Sequence, residues 1–196
     1  MEILELENTL LNPVGGLREY LVIISPPTFI KNDVVEFKNE FLEYFGNAKY
    51  IRSEPHISLC NFLIESTPEE TIFNELWYFL KDKKSFDLQT LGFERFQNSN
   101  TLLLGVSATE VVNLQNNMVE VLRKRAKIGK RFTRNLDKPH ITIASKIPDY
   151  QFNQSWNYFK NISYTKNFMV DRITVLRKNR SLNELKYKIA FEIDLK

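Results

Sequence analysis

The chain contains two histidines, and both stand in the same local setting. His56 lies in Glu-Pro-His-Ile-Ser-Leu-Cys-Asn-Phe, residues 54–62. His140 lies in Lys-Pro-His-Ile-Thr-Ile-Ala-Ser-Lys, residues 138–146. In each, proline precedes the histidine, isoleucine follows it, and a hydroxyl residue stands two positions on, Ser58 and Thr142. Read as strands, both stretches send successive side chains to opposite faces. His56, Ser58 and Cys60 then share one face, with Ile57 and Leu59 behind them; His140, Thr142 and Ala144 share a face opposed by Ile141 and Ile143. Positions two apart on a strand are about 6.6 Å apart. An imidazole and a hydroxyl at that spacing can both touch a phosphate-sized group, and the small third residue leaves room for it. Two such strands side by side would surround one anion with two imidazoles and two hydroxyls. Imidazoles titrate near neutral pH, so one can take a proton while the other gives one. That chemistry suits in-line displacement at a phosphodiester, with the hydroxyls holding the non-bridging oxygens. It requires neither a metal nor a cofactor.

The surrounding sequence must hold these strands. Glu19–Ser25 is an apolar, β-rich run stopped by Pro26-Pro27 and reads as a central strand. Residues 30–45 place Val34, Phe37, Phe41 and Phe45 at helical spacing, with Gly46 as the C-cap. His56–Ile64 reads as a strand, and Ser66-Thr67-Pro68-Glu69-Glu70 as the start of a helix running to about Lys81. Phe86–Phe96 and Thr101–Ser107 form two strands joined by a tight turn, and Thr109 caps a further helix. A basic loop, Arg123–Arg134, carries 7 Lys or Arg in 12 residues. His140–Ser145 is the second motif strand, and Pro148 opens a short helix through Phe159. Two long strands close the chain, Phe168–Arg177 and Glu184–Leu195. Consecutive strands at two places call for antiparallel pairing, hence an α+β fold. The motifs recur 84 residues apart, from His56 to His140, each followed by a helix, which hints at a two-lobed internal duplication.

Bulk properties narrow the function classes. At 196 residues the chain suits one domain made of two small lobes, large enough to bury a core without staples. Hydrophobic residues at 43% and charged residues at 26% are those of a globular protein. A net charge of +3 permits a local basic surface without demanding nucleic acid. A single cysteine, Cys60, excludes an internal disulfide and a multi-cysteine zinc site. The acidic N-terminal stretch is no signal peptide, and no run is long enough to span a bilayer. The expectation is a soluble cytoplasmic protein, monomeric and without a membrane partner.

The paired motifs resemble the two-histidine phosphoesterase superfamily, in its 2′-5′ RNA ligase and cyclic-nucleotide phosphodiesterase branch. The similarity spans most of the chain, from the apolar first strand to the closing hairpin, residues 170–195. The resemblance implies a bilobal α+β fold, with two antiparallel sheets, flanking helices and pseudo-two-fold symmetry about a cleft. It implies catalytic His56 and His140, with Ser58 and Thr142 binding phosphate. It also implies metal-independent opening of 2′,3′-cyclic phosphate ends of RNA or nucleotides, or reversible handling (hydrolysis or ligation) of 2′-5′ linkages. Many members carry a basic residue five positions after the second histidine. Here Ser145 stands there and Lys146 follows, on the catalytic face if the strand alternates through it.

Four further residues are candidates for substrate binding. Tyr20 and Tyr50 could stack a base or ribose, Arg177 ends a strand beside the site, and Lys146 could meet phosphate. The basic loop could hold an RNA backbone or be a solvated surface. Cys60 lies about 13 Å along the strand from His56, beyond hydrogen-bond reach, and reads as a small buried thiol. Two rival readings remain. One is a non-catalytic RNA or nucleotide-binding module that keeps the fold. The other is a metal-dependent hydrolase, for which two histidines without a carboxylate pattern give little support.

Overall fold

A computed structural model describes residues 16–64, 68–135 and 138–196. The N-terminal stretch read above and the helix-capping positions Ser66 and Thr67 lie outside the described residues. The described residues form nine strands in one antiparallel sheet, backed by four helices. In chain order these are β1 (Arg18–Ile24), α1 (Thr28–Phe45), β2 (Ile57–Ile64), α2 (Glu69–Leu80), β3 (Phe86–Phe96), β4 (Thr101–Val106) and α3 (Thr109–Lys124). There follow β5 (Thr133–Asn135), β6 (His140–Ala144), α4 (Asp149–Phe159), β7 (Asn167–Val170), β8 (Arg172–Asn179) and β9 (Lys188–Asp194).

The strand order is β7-β3-β4-β6-β2-β1-β8-β9, with β5 paired to β2 beside this path. Two four-stranded halves therefore meet at a seam between the motif strands β6 and β2. A single residue pair, Ile57 with Ile141, joins them there. The sheet curls as a half-barrel with the helices on one side. Each half is covered by a helix that starts in the other. α1 follows β1 yet packs on β6, and α3 follows β4 yet packs on β2. These crossings tie the halves together where strand pairing is thinnest.

The alternation within each strand sorts residues to a helix face and a histidine face. Tyr20, Val22, Ile57, Phe62, Ile141 and Val175 take the helix face and are fully or almost fully buried. Burying side chains of this size contributes about 1.5–3 kcal/mol each. Phe41, Phe45 and Phe159 pack together between α1 and α4, and Phe73 of α2 meets Phe191 of β9 edge-on. The helix positions read from periodicity are present, although Phe37 and Phe45 are only partly buried.

Three readings of the chain are corrected. The stretch Phe168–Arg177 is two strands, with Asp171 between them. β7 pairs with β3 in one half while β8 pairs with β1 in the other, so the chain changes halves at this point. The last strand begins at Lys188 rather than near Glu184. The basic stretch is not all loop: its first residues end α3, and its last form β5 on the edge of β2.

Candidate active site

The two motif strands sit at the middle of the sheet in antiparallel register. Because Ile57 faces Ile141, carrying the register one residue either way sets His56 beside Thr142 and Ser58 beside His140. Each histidine thus neighbours the other strand's hydroxyl. The two histidines occupy diagonal positions, roughly 7–8 Å apart along the backbone and somewhat less at Cβ. The pseudo-dyad passes through the isoleucine pair, and both isoleucines are buried on the helix face. His56, Ser58, His140 and Thr142 are all half-buried on the other face. Among the described residues, neither the Ser58 nor the Thr142 hydroxyl has a hydrogen-bond partner.

The two rings are held alike. His56 Nδ1 lies 2.8 Å from the Glu54 carbonyl and His140 Nδ1 lies 2.7 Å from the Lys138 carbonyl. A carbonyl oxygen only accepts, so Nδ1 carries the proton in both rings. Nε2 of each ring is then the nitrogen left for proton exchange. The residues that supply these carbonyls are themselves anchored. Glu54 pairs with Lys31 of α1 at 2.7 Å, and Lys138 pairs with Glu94 of β3. Glu94 crosses directly over Gly105, the residue opposite His140, where an added Cβ would lie 2.3 Å from its carboxylate oxygen.

Lys38 is a component that periodicity passes over. It is one of the buried positions of α1, with Ile30, Val34 and Phe41. Its Nζ donates to the Tyr50 carbonyl at 2.9 Å, the Ser53 carbonyl at 2.7 Å and Ser53 Oγ at 3.1 Å. Burial lowers its pKa to about 8. The sequence signal is a lysine on the apolar stripe of a helix, four positions after Val34. Burial likewise holds the His56 imidazole below its usual value. The Glu54 carbonyl opposes this shift, while the charges of Lys38 and His140 add to it.

Both motif strands carry a bulge at the third residue after histidine. Val22 pairs with Cys60 while Ile23 pairs with Ser58, which leaves Leu59 as the extra residue. Leu102 pairs with Ala144 while Leu103 pairs with Thr142, which leaves Ile143 extra. A bulge resets alternation. Cys60 and Ala144 therefore turn to the helix face and are fully buried, and neither opens room beside the histidines. The Cys60 thiol rests 3.7 Å from the Met118 sulfur, and burial pushes its pKa up to about 12, far from a nucleophilic thiolate. The bulge also frees the Ser58 carbonyl, which accepts a hydrogen bond from the buried Gln115 side chain at 3.2 Å.

The four further candidates divide. Tyr20 and Arg177 are register partners on the helix face, with their backs to the histidines. Tyr20 stacks on Phe62 and donates to Glu69 of α2 at 2.7 Å; Arg177 donates to the other oxygen of Glu69 at 2.7 Å. They fasten α2 to the sheet. Replacing Tyr20 by phenylalanine is expected to cost about 1.5 kcal/mol of stability in urea unfolding and to leave turnover unchanged. Lys146 is not on a continuing strand either. β6 ends at Ala144, and Lys146 sits in a turn at φ 52° with its N–H bonded to the Ser99 carbonyl. Tyr50 is half-exposed in the loop before His56, beneath the Lys49 ammonium. It lies close enough to Tyr187 to act on it electrostatically, beside the Glu19, Lys178 and Arg180 cluster of the histidine face. One aromatic escapes the sequence reading: Phe96 of β3 meets the His140 ring edge-on at 5.0 Å. Among the described residues, no three His, Cys, Asp or Glu side chains gather as a metal site, and no helix is long and apolar enough to cross a membrane.

A curled antiparallel sheet with two His-x-hydroxyl strands meeting at its centre is the arrangement of the two-histidine phosphoesterase superfamily. The chain belongs to the 2′-5′ RNA ligase superfamily, whose family model matches residues 26–182. E. coli LigT in its apo form is similar in fold, with a TM-score of 0.66 at 14% identity over 92% of this chain and 99% of LigT. E. coli LigT complexed with 3′-AMP gives 0.65 at 14% identity, over 92% and 99%. TT0787 of Thermus thermophilus gives 0.63 at 16% identity, over 90% of this chain and 97% of its own. No curated protein sequence matches the chain.

Proposed function

We propose that the protein is a metal-independent phosphodiesterase acting on 2′,3′-cyclic phosphate ends of RNA or nucleotides, or on 2′-5′ linkages. The observation that carries this reading is the interleaved register, which sets each imidazole beside the opposite hydroxyl at the seam. A phosphodiester between the strands would meet Ser58 and Thr142 at its non-bridging oxygens, with an Nε2 toward either side. His56, kept neutral by burial, takes a proton from water as the water oxygen attacks phosphorus. His140, protonated at Nε2, gives its proton to the 2′ or 3′ oxygen as the ring P–O bond breaks. One proton is taken and one delivered, so the pair is reset by exchanging a proton with solvent. With an RNA hydroxyl in place of water the same sequence handles a 2′-5′ linkage. The crystallised complexes of E. coli LigT with 3′-AMP and with phosphate support a nucleotide-sized guest for this fold.

The test is a panel of phosphodiesters assayed with and without EDTA. Turnover of a 2′,3′-cyclic nucleotide that survives EDTA is the expected result. Binding without turnover across cyclic and linear substrates would instead identify a nucleotide-binding module. Activity that vanishes with EDTA and returns with Mn²⁺ or Zn²⁺ would overturn the metal-independent mechanism.

A further inference from the structure

We propose that Lys49 is the cation that holds the substrate phosphate, reaching it from the end of β6 beyond Thr142. The proposal rests on the phosphodiesterase reading above and adds a binding residue that neither motif contains. It begins with a bridge between remote segments. The Lys49 N–H donates to the Ser145 carbonyl at 2.9 Å, and the Ser145 N–H donates to the Lys49 carbonyl at 2.8 Å. Residues that exchange both bonds in an antiparallel pair send their side chains to the same face. Ser145 identifies that face. Its hydroxyl lies 2.8 Å from the Thr101 hydroxyl. Thr101 pairs with Phe96, and Phe96 packs on the His140 ring. Ala144, one residue earlier, points the other way and is fully buried. Lys49 therefore stands on the histidine face, where it is exposed. Pairing with β4 gives the spacing. Leu103 pairs with Thr142 and Leu102 with Ala144, so Thr101 comes level with Ser145. Ser145 is then two β4 residues past Thr142, about 6.6 Å along the sheet. His56 stands beside Thr142 by the register at Ile57 and Ile141, so Lys49 follows His56 by the same step. The flexible four-carbon stem of a lysine covers that step.

The reaction calls for such a group. A phosphodiester brings one negative charge, and the attack of water adds a second as its proton passes to His56. Ser58 and Thr142 donate hydrogen bonds but carry no charge. The other cations near this face are held or remote. Lys178 and Arg180 are held by Glu19, and Lys138 by Glu94. Lys38 is buried beneath the Tyr50 and Ser53 carbonyls. Arg134 pairs with Asn61, three residues past Ser58 and roughly 10 Å along the strand. Among the described residues, Lys49 pairs with no carboxylate, and its ammonium lies over the Tyr50 ring, 4.7 Å from the centre. A cation fixed at its backbone and unclaimed by an acid, one strand step from the reacting phosphate, is positioned to offset the developing charge.

The experiment measures kcat/KM on a mononucleoside 2′,3′-cyclic phosphate and, by isothermal titration calorimetry, the affinity for a nucleoside 3′-phosphate. Lys49→Met is expected to lose about tenfold in each, the size of one charge-assisted hydrogen bond. Lys49→Arg should keep both. The bridge to Ser145 is made by backbone atoms, so it survives these changes. Moving the charge across the bridge, in Lys49→Ser/Ser145→Lys, should recover most of what Lys49→Ser alone loses, because paired side chains start from neighbouring Cβ positions. Wild-type kcat/KM in Lys49→Met overturns the proposal. So does a swapped variant no better than Lys49→Ser, which assigns the loss to the loop rather than to the charge. If the wild-type protein turns over no phosphodiester, calorimetry still decides. Weaker binding of the 3′-phosphate by Lys49→Met then leaves Lys49 as a phosphate-binding residue while the phosphodiesterase reading fails. Equal binding by the two proteins fails the Lys49 proposal as well.

Discussion

Alanine at His56 or at His140 lowers kcat for a 2′,3′-cyclic nucleotide by about 10²–10⁴-fold, the range that positioned acid–base groups contribute. The double variant falls little further than either single one. In the proposed mechanism one imidazole removes a proton in the same displacement in which the other supplies one, so the loss of either disables the unit. The fold is expected to survive these changes. Both rings are half-buried on the open face, and Ile57 and Ile141 hold the strands from the other side. Thermal unfolding within a few degrees of wild type would confirm that activity and folding separate. Full turnover by either folded variant would remove that histidine from the mechanism.

Methionine at Lys38 is the second large effect. Lys38 binds the carbonyls of Tyr50 and Ser53, and the chain from Ser53 leads through Glu54 to His56. The Glu54 carbonyl sets which nitrogen of His56 is protonated. Without the ammonium the loop loses its tether, and a misplaced reacting group can cost up to about 100-fold in rate. The charge acts as well. Lys38 disfavours protonation of His56, so its removal raises the His56 pKa and moves the acid limb of the rate profile to higher pH. The loss is therefore expected to be greater at pH 6 than at pH 8. Near pH 8 Lys38 itself begins to lose its proton in the wild type, so its electrostatic influence fades there. NMR titration of His56 reads this effect directly, as an upward move of its pKa in the variant. Stability is expected to fall by about 1–3 kcal/mol, because the Tyr50 and Ser53 carbonyls lose their donor.

The paired motif and most of the elements are legible in the chain. Proline, histidine, isoleucine and a hydroxyl residue repeat twice, and strand alternation is enough to separate the polar pair from its apolar back. The register at Ile57 and Ile141 brings those pairs together. Alternation carried too far goes wrong. It puts Cys60 and Ala144 beside the histidines because nothing in Leu59 or Ile143 announces a bulge. It puts Lys146 on a strand that stops two residues earlier. Tyr20 and Arg177 lie on strands next to the site but face away from it, a fact set by register between strands distant in the chain. β5 is hidden in a basic run because three residues hold no periodicity, and its pairing partner lies more than seventy residues upstream.

By itself, the sequence determined the candidate reacting groups, their spacing within each strand and the apolar face that anchors them. These depend on local geometry, where side-chain direction follows from backbone period. Tertiary structure alone decided that the two strands meet at one seam, that each histidine neighbours the other's hydroxyl, and that Lys38 holds the loop before His56. Those facts depend on pairing and packing between remote segments, which no local pattern encodes.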